Sequence, residues 1–286
     1  MDLGSLLRTE LAGCVAALDE NDRDVADERS PDQIHDARVA LRRIRSQLRT
    51  FATLVDPVWA REVRADIAWY EGLLGRVRDC DVLAAGLLGR AGSRREPVAA
   101  AAITARLATE RASQLRLLAD GRTSRRYLAL RSSLDELACR PPLRPRAARD
   151  ASTSLLPLLA RPWRDLRESA RAATRSPDAE ALHTLRIRAK QLRYGAEMSE
   201  AVLGDDARAL AGACAGLQGH LGRYRDAGAA AAWLRCLASG ADDLGPPMSV
   251  LASRQDEIAS TLGTTWRPLY KKVRHSWRDL GRDARR

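Results

Sequence analysis

Apolar residues recur at helical intervals along almost the whole chain, and nowhere do they alternate with the two-residue period of a strand. The first run covers residues 3 to 19, where Leu3, Leu7, Leu11, Cys14 and Leu18 fall on one face. Ser30-Pro31-Asp32 supplies an N-cap and a first-turn proline, which predicts a helix from there to about Val55. Asp56-Pro57 opens the next, carrying Trp59, Val63, Ile67 and Tyr70 and predicted to end near residues 74 to 81, with Asp79 or Asp81 capping the next segment. A loop is expected over residues 89 to 96, an alanine-rich helix from Pro97 to about Leu118, and another from Thr123-Ser124 that holds Tyr127, Leu130, Leu134 and Leu137. The proline-rich segment at 140 to 145 then breaks the chain.

Beyond that break the order starts again. A helix is predicted over 151 to 173, Ser176-Pro177-Asp178 starts another, Asp205-Asp206 starts its successor, and residues 221 to 226 end that one. Further helices are expected near 226 to 239, 247 to 262 and 264 to 280. Ser30 and Ser176 lie 146 residues apart, His35 and His183 148, and Arg78 and Arg225 147. Three landmarks agreeing within two residues imply an internal duplication hinged at 140 to 145. The expected fold is all-α: two helical bundles, residues 1 to 145 and 146 to 286.

The duplicated helices share an unusual distribution of charge. His183, Arg186, Lys190 and Arg193 follow one another at steps of three, four and three, and so line one narrow face. Leu182, Leu185, Ala189 and Leu192 keep the same rhythm on the face beside it. In the first copy His35, Arg38, Arg42, Arg45 and Arg49 form the basic stripe, with Ile34, Ala37, Leu41, Ile44 and Leu48 alongside. A solvated helix face mixes signs, because aligned like charges cost about 0.2 to 0.5 kcal/mol per pair. Residues 37 to 52 and 181 to 196 contain no acid, although the chain has 37 elsewhere. Two acid-free stripes point to an anion from outside as the missing counter-charge. The histidines, one turn ahead of Arg38 and Arg186, would donate a hydrogen bond when neutral and become cations beside phosphate. Arg78-Asp79 and Arg225-Asp226 form a second pair of landmarks, either helix caps with their ion pairs or arginines turned into the same site. Arg188, Arg43, Arg76 and Arg223 lie outside the tight stripe and are secondary candidates.

Composition narrows the partner. A net charge of +11 and a pI near 10.2 favour a polyanion, although an arginine- and alanine-rich genome would also raise them. Lys190, Lys271 and Lys272 are the sole lysines. No run approaches the roughly 18 apolar residues a membrane-spanning helix needs, and no basic leader precedes an apolar segment, so neither membrane partner nor secretory signal is expected. Cys14, Cys80, Cys139, Cys214 and Cys236 are odd in number, scattered, and without zinc-ligand spacing. They suit a reducing cytoplasm and no metal site.

Both copies of H-x-x-R-x-x-x-[RK]-x-x-R, with the two L-G-x-x-R-D motifs at Leu74 and Leu221 and the helical duplication, closely resemble the conserved-histidine α-helical domain (CHAD) family. The resemblance covers most of the chain. It implies two four-helix-bundle halves about a pseudo-two-fold axis, with a basic central cleft or pore that binds inorganic polyphosphate. By position, the contacts it implies are His35, Arg38, Arg42, Arg45 and Arg49, matched by His183, Arg186, Lys190 and Arg193; Arg78, Arg225 and Arg188 complete the candidate set. Two positions depart from the repeat: Glu197 stands where the first copy has Arg49, and Gly228 where it has Asp81. The triphosphate tunnel domain often fused to the family has no E-x-E-x-K signature here.

The function expected is therefore non-catalytic polyphosphate binding without a cofactor, in the cytoplasm and at polyphosphate granules. A nucleic-acid-binding protein using the same cations is the first alternative; the 4% aromatic content and the absence of a helix-turn-helix or zinc module disfavour it. The His35-Asp36 doublet suggests a metal-dependent phosphohydrolase, but His183 precedes Thr184, and His220 and His275 lack ligand partners. The stretch from 266 to 278, with Lys271, Lys272, Arg274 and His275, either extends the site or forms a solvated final helix.

Overall fold

A computed structural model of the chain describes residues 1–22, 30–88, 97–239 and 245–283. The expected loop at 89 to 96 lies outside the described residues. The helices are α1 (Leu3–Asp22), α2 (Pro31–Thr50), α3 (Pro57–Leu88), α4 (Pro97–Thr123), α5 (Arg125–Cys139), α6 (Ala151–Arg175), α7 (Ala179–Ala238), α8 (Gly245–Thr264) and α9 (Arg267–Asp283). Among the described residues there is no strand, and no helix is long and apolar enough to cross a membrane.

Local chemistry starts the two basic helices. Ser30 Oγ accepts from the Gln33 amide at 3.2 Å, and the Gln33 side chain accepts from the Ser30 amide at 3.1 Å, a reciprocal capping box ahead of Pro31. At the start of α7 Asp178 is the cap, accepting from the Ala181 amide at 2.8 Å. Helix α2 stops at Thr50, short of the predicted Val55, because tertiary pairing takes over the backbone. The Asp56 amide donates to Pro142 O at 2.9 Å and the Arg144 amide to Leu54 O at 2.8 Å. Phe51, Leu54 and Val55 meanwhile enter the core, each 1% exposed or less. The segment expected as a hinge is thus stitched to the α2–α3 connection.

Helices α3 and α7 depart most from expectation. The predicted ends at residues 74 to 81 and 221 to 226 do not exist: α3 runs on to Leu88 and α7 to Ala238. Asp79 and Asp81 lie mid-helix and cap nothing. Helix α7 bends only at Gly204, whose φ of 63° and ψ of −145° lie in a region open to glycine, just ahead of the expected start at Asp205-Asp206.

Three apolar cores hold the helices. The first joins α1, α2, α3 and α5, with Leu118 of α4 and Leu155 of α6. The second joins α6, α7 and α9 around Leu185, Leu192, Leu217, Trp266 and Val273. The third packs Leu87, Ile103 and Leu107 against Leu234, Met248 and Leu251. What places the two basic stripes together is the crossing of α2 over α7. The fully buried Gln47 donates to Tyr194 O at 3.0 Å, and Arg43 pairs with Glu197 at 2.8 Å. At Gly195 a Cβ would stand 2.6 Å from Leu159 Cδ2 and 3.4 Å from Thr50 Cγ2, so a larger residue would force the buried Leu159 side chain to shift where α7 meets α6.

Candidate functional site

The crossing of α2, α3 and α7 opens a cavity of about 760 Å³. Helix α2 lines it with His35, Arg38, Arg42, Arg45, Ser46 and Arg49, and α7 with His183, Arg186, Lys190, Gln191, Gln218, Arg225 and Asp226. Between them α3 presents Arg61, Arg64, Glu71, Arg78 and Asp79. Among the described residues nine arginines and Lys190 therefore face three carboxylates, a formal excess of seven positive charges in one hollow. Among the described residues no Phe, Tyr or Trp side chain lines it.

The three carboxylates neutralise little of this. Glu71 lies 2.9 Å from Arg45, and Arg225 stands 3.6 Å from Asp79 and 3.8 Å from Asp226. Arg78 donates to Pro31 O at 3.4 Å. Among the described residues Arg38, Arg42, Arg49, Arg61, Arg64, Arg186 and Lys190 form no ion pair. The Nε atoms of Arg38, Arg42, Arg64 and Arg186 are buried without a hydrogen-bond partner, as are Ser46 Oγ and Gln218 Oε1. Unsatisfied buried polar atoms are few in most proteins, and here they concentrate around one cavity.

A family model for the CHAD domain matches residues 9–235. The chain belongs to the CHAD domain family. Two solved structures share its fold. PptA from Streptomyces chartreusis superposes with a TM-score of 0.75 at 20% identity, over 97% of this chain and 100% of that one. The CHAD domain from the plant Ricinus communis superposes with a TM-score of 0.78 at 23% identity, over 96% and 92%. Among curated proteins none matches the chain.

The two L-G-x-x-R-D motifs of this CHAD domain acquire a structural meaning that differs from helix termination. A Cβ at Gly75 would lie 3.3 Å from Arg38 Nη2, and one at Gly222 would lie 3.6 Å from Arg186 Nε. Each glycine sits mid-helix, where it costs about 0.5–1 kcal/mol relative to alanine. Gly75 leaves the Arg38 guanidinium room to rest closely across its helix, whereas a Cβ at Gly222 would meet Arg186 only at ordinary contact distance.

Of the predicted residues, His35, Arg38, Arg42, Arg45, Arg49, Arg78, His183, Arg186, Lys190 and Arg225 line the CHAD cleft. Arg193 and Arg188 do not. Arg193 folds onto Glu197, one turn ahead, at 2.7 Å, and Arg43 takes the other oxygen of that carboxylate. Arg188 reaches Asp165 on α6 at 3.3 Å and Gln191 at 3.0 Å. Arg43 closes the back of the helix crossing, while Arg76 and Arg223 are exposed outside the cleft. The 266 to 278 stretch does not extend it either; Lys271, Lys272 and His275 are exposed on α9. The reading of the sequence missed Arg61 and Arg64. Their signal is Arg61, Arg64, Ala65, Ala68 and Glu71, which share one face of α3 free of large apolar residues.

Crowded positive charge marks the titrating groups. Lys190 is brought from 10.5 down to about 7, first by burial and then by Arg42, with Glu71 opposing and Arg186 and Arg45 adding to the drop. His35 is lowered by desolvation and by Arg78 and Arg42; His183 by desolvation and by Arg186 and Arg225. Because both imidazoles reach solvent, the guanidinium charges are the firmer cause. Burial lowers Arg38 and Arg186 without discharging them, and raises Asp226 against the pull of Arg225 and Arg186. The cations of the cleft thus repel one another, and an anion would relieve that repulsion. Among the described residues no three His, Cys, Asp or Glu side chains come together to hold a metal ion.

Proposed function

We propose that the protein binds inorganic polyphosphate along this cleft and does not turn it over. The observation that carries the reading is the convergence of ten cationic side chains from three helices on one hollow with three carboxylates. Polyphosphate binding is a property of the CHAD family, and the cleft supplies a physical basis for it in this chain. From His35 to Arg49 the α2 stripe rises about 21 Å, long enough to follow several units of an extended phosphate chain. Guanidinium forks match phosphate oxygens with short charge-assisted bonds. A ligand without bases needs no stacking surface, and the cleft offers none. A metal-dependent hydrolase would need several His and Asp ligands converging on one ion, and the cleft is built from cations instead.

On this reading the contacts are His35, Arg38, Arg42, Arg45, Arg49, Arg61, Arg64, Arg78, His183, Arg186, Lys190 and Arg225, drawn from both halves of the proposed duplication. A protein that holds polyphosphate in this way would associate with polyphosphate granules. Binding of labelled long-chain polyphosphate is the test. Arg42→Glu, Arg186→Glu and Lys190→Glu together are expected to weaken it by about 100-fold or more, since each charge-assisted contact contributes about 1.5 kcal/mol or more. Arg76→Glu with Arg223→Glu, cations outside the cleft, leaves it unchanged. Undiminished binding by the triple variant removes the site. DNA or RNA that displaces polyphosphate from the cleft at equal phosphate concentration would favour the nucleic-acid alternative.

A further inference from the structure

A second basic hollow lies between α6 and α9, both of which pack on α7, and it differs chemically from the cleft. Its volume is about 690 Å³, and it shares no residue with the first. Arg167, Arg171 and Arg175 line it from α6, and Arg274 and Arg278 from α9. All five are exposed. None makes an ion pair among the described residues, and no carboxylate lines the hollow. The arginines on each helix stand four residues apart, an arrangement that repels without an external anion.

What separates this hollow from the cleft is its aromatic wall. Trp163 of α6 and Trp277 of α9 stack at 5.2 Å between ring centres and 15° between planes, joining the two helices across one end. Tyr270, two turns back along α9, also lines the hollow, half-buried and near enough to Arg274, Arg167 and Arg171 for their charges to act on its phenol. The indoles are also half-buried, so they present ring surface to the hollow. Phosphate polymers have no use for such a surface. Unpaired nucleobases do, because any base can stack on an aromatic ring while its backbone follows the cations. The protein is poor in aromatics as a whole, at 4%, yet three of them meet five unpaired arginines here.

We propose that the α6–α9 groove is a second binding site, for single-stranded nucleic acid, independent of the phosphate cleft. The arginines span Arg167 to Arg175, about 12 Å of helix, and face Arg274 and Arg278 across the groove. That arrangement suits a backbone running between the helices with bases turned onto Trp163, Trp277 and Tyr270. Recognition is sequence-tolerant, since stacking and charge carry it.

The test uses the full chain and labelled oligo(dT) of about 12 nucleotides. In the cleft-disabled triple variant, with Arg42, Arg186 and Lys190 changed to glutamate, the oligonucleotide is expected to bind as in wild type and to quench tryptophan fluorescence. Arg171→Glu with Arg274→Glu is expected to weaken oligonucleotide binding about tenfold or more while leaving polyphosphate binding by the intact cleft unchanged. Trp277→Leu is expected to weaken it about fivefold or more and to reduce the quenching. If Trp277→Leu fails to fold, the arginine pair, both solvent-exposed, decides the matter alone. Wild-type oligonucleotide binding by that pair overturns the proposal. So does equal binding of oligonucleotide, polyphosphate and anionic vesicles to the cleft-disabled variant at matched phosphate concentration, which would make the groove a mere charge patch.

Discussion

Lys190 stands at the centre of the cleft and is the cation in it whose charge can be switched near neutral pH. Its fall from 10.5 to about 7 costs the charged form about 5 kcal/mol at most, at about 1.4 kcal/mol per pH unit. The sign comes from proton counting. Between pH 7 and 10.5 the unfolded chain keeps a proton on Lys190 that the folded chain has released, so stability rises with pH through that window. Below about pH 7 the folded protein carries the full cost. Lys190→Met keeps the side chain's length and removes its charge. It is therefore expected to raise the unfolding free energy about 3 to 5 kcal/mol more at pH 6 than at pH 10.5, measured by urea denaturation. Polyphosphate laid beside the ammonium restores its charge, so binding near pH 8 takes up close to one proton at this residue. The apparent Kd then rises up to about tenfold per pH unit above 7, until the bound lysine itself titrates. Calorimetry in two buffers of different ionisation enthalpy counts the proton. Lys190→Arg, which stays charged, abolishes this uptake. His35 and His183 also gain protons beside phosphate, so the share of Lys190 is read as the difference between wild type and Lys190→Arg. An identical pH slope in wild type and Lys190→Arg, or a Lys190→Met gain undiminished at pH 10.5, refutes the account.

Other perturbations probe the cleft and the frame around it. With about seven uncompensated charges in the cleft, polyphosphate affinity is expected to fall about 1000-fold between 50 and 200 mM salt, as counterion release requires; a flat titration contradicts it. Gly75→Leu drives a side chain into the space where Arg38 rests and should weaken polyphosphate binding about tenfold without loss of helix. Gly72→Leu, one turn earlier and open to solvent, serves as the matched control with no effect. Asp22, 4% exposed, accepts from the Tyr70 and Tyr127 hydroxyls and pairs with Arg122 at 2.6 Å, tying α1 to α3, α4 and α5. Asp22→Ala leaves those partners without their carboxylate and should cost about 3–5 kcal/mol in urea denaturation, with little change in polyphosphate affinity per folded molecule.

The basic stripes were readable because helical spacing is a local property. Steps of three and four place Arg38, Arg42, Arg45 and Arg49 on one face whatever surrounds them, and the absence of acids along that face made the charge stand out. Capping was equally local, as Ser30 and Asp178 show. Arg193 fits the stripe by spacing yet leaves the cleft, because Glu197 lies one turn on and meets Arg43 from the other helix. The Arg193–Glu197 pair is itself a local i,i+4 contact that the spacing already offers, whereas the Arg43 contact that fixes Glu197 in place spans 154 residues of sequence. Gly75 and Gly222 look like helix ends for a related reason. Glycine is read as a break until the guanidinium packed against it is seen.

The sequence by itself determined the helices and the sign and spacing of the two cationic stripes, because spacing along one helix and net charge need only neighbours in the chain. Tertiary structure alone decided which arginines end in a shared hollow and which are neutralised behind it. It also decided that α3 adds Arg61 and Arg64, and that Trp163 and Trp277 meet over a second set of unpaired cations. Those outcomes depend on how helices cross, and a crossing is set by apolar contacts between residues far apart in the chain.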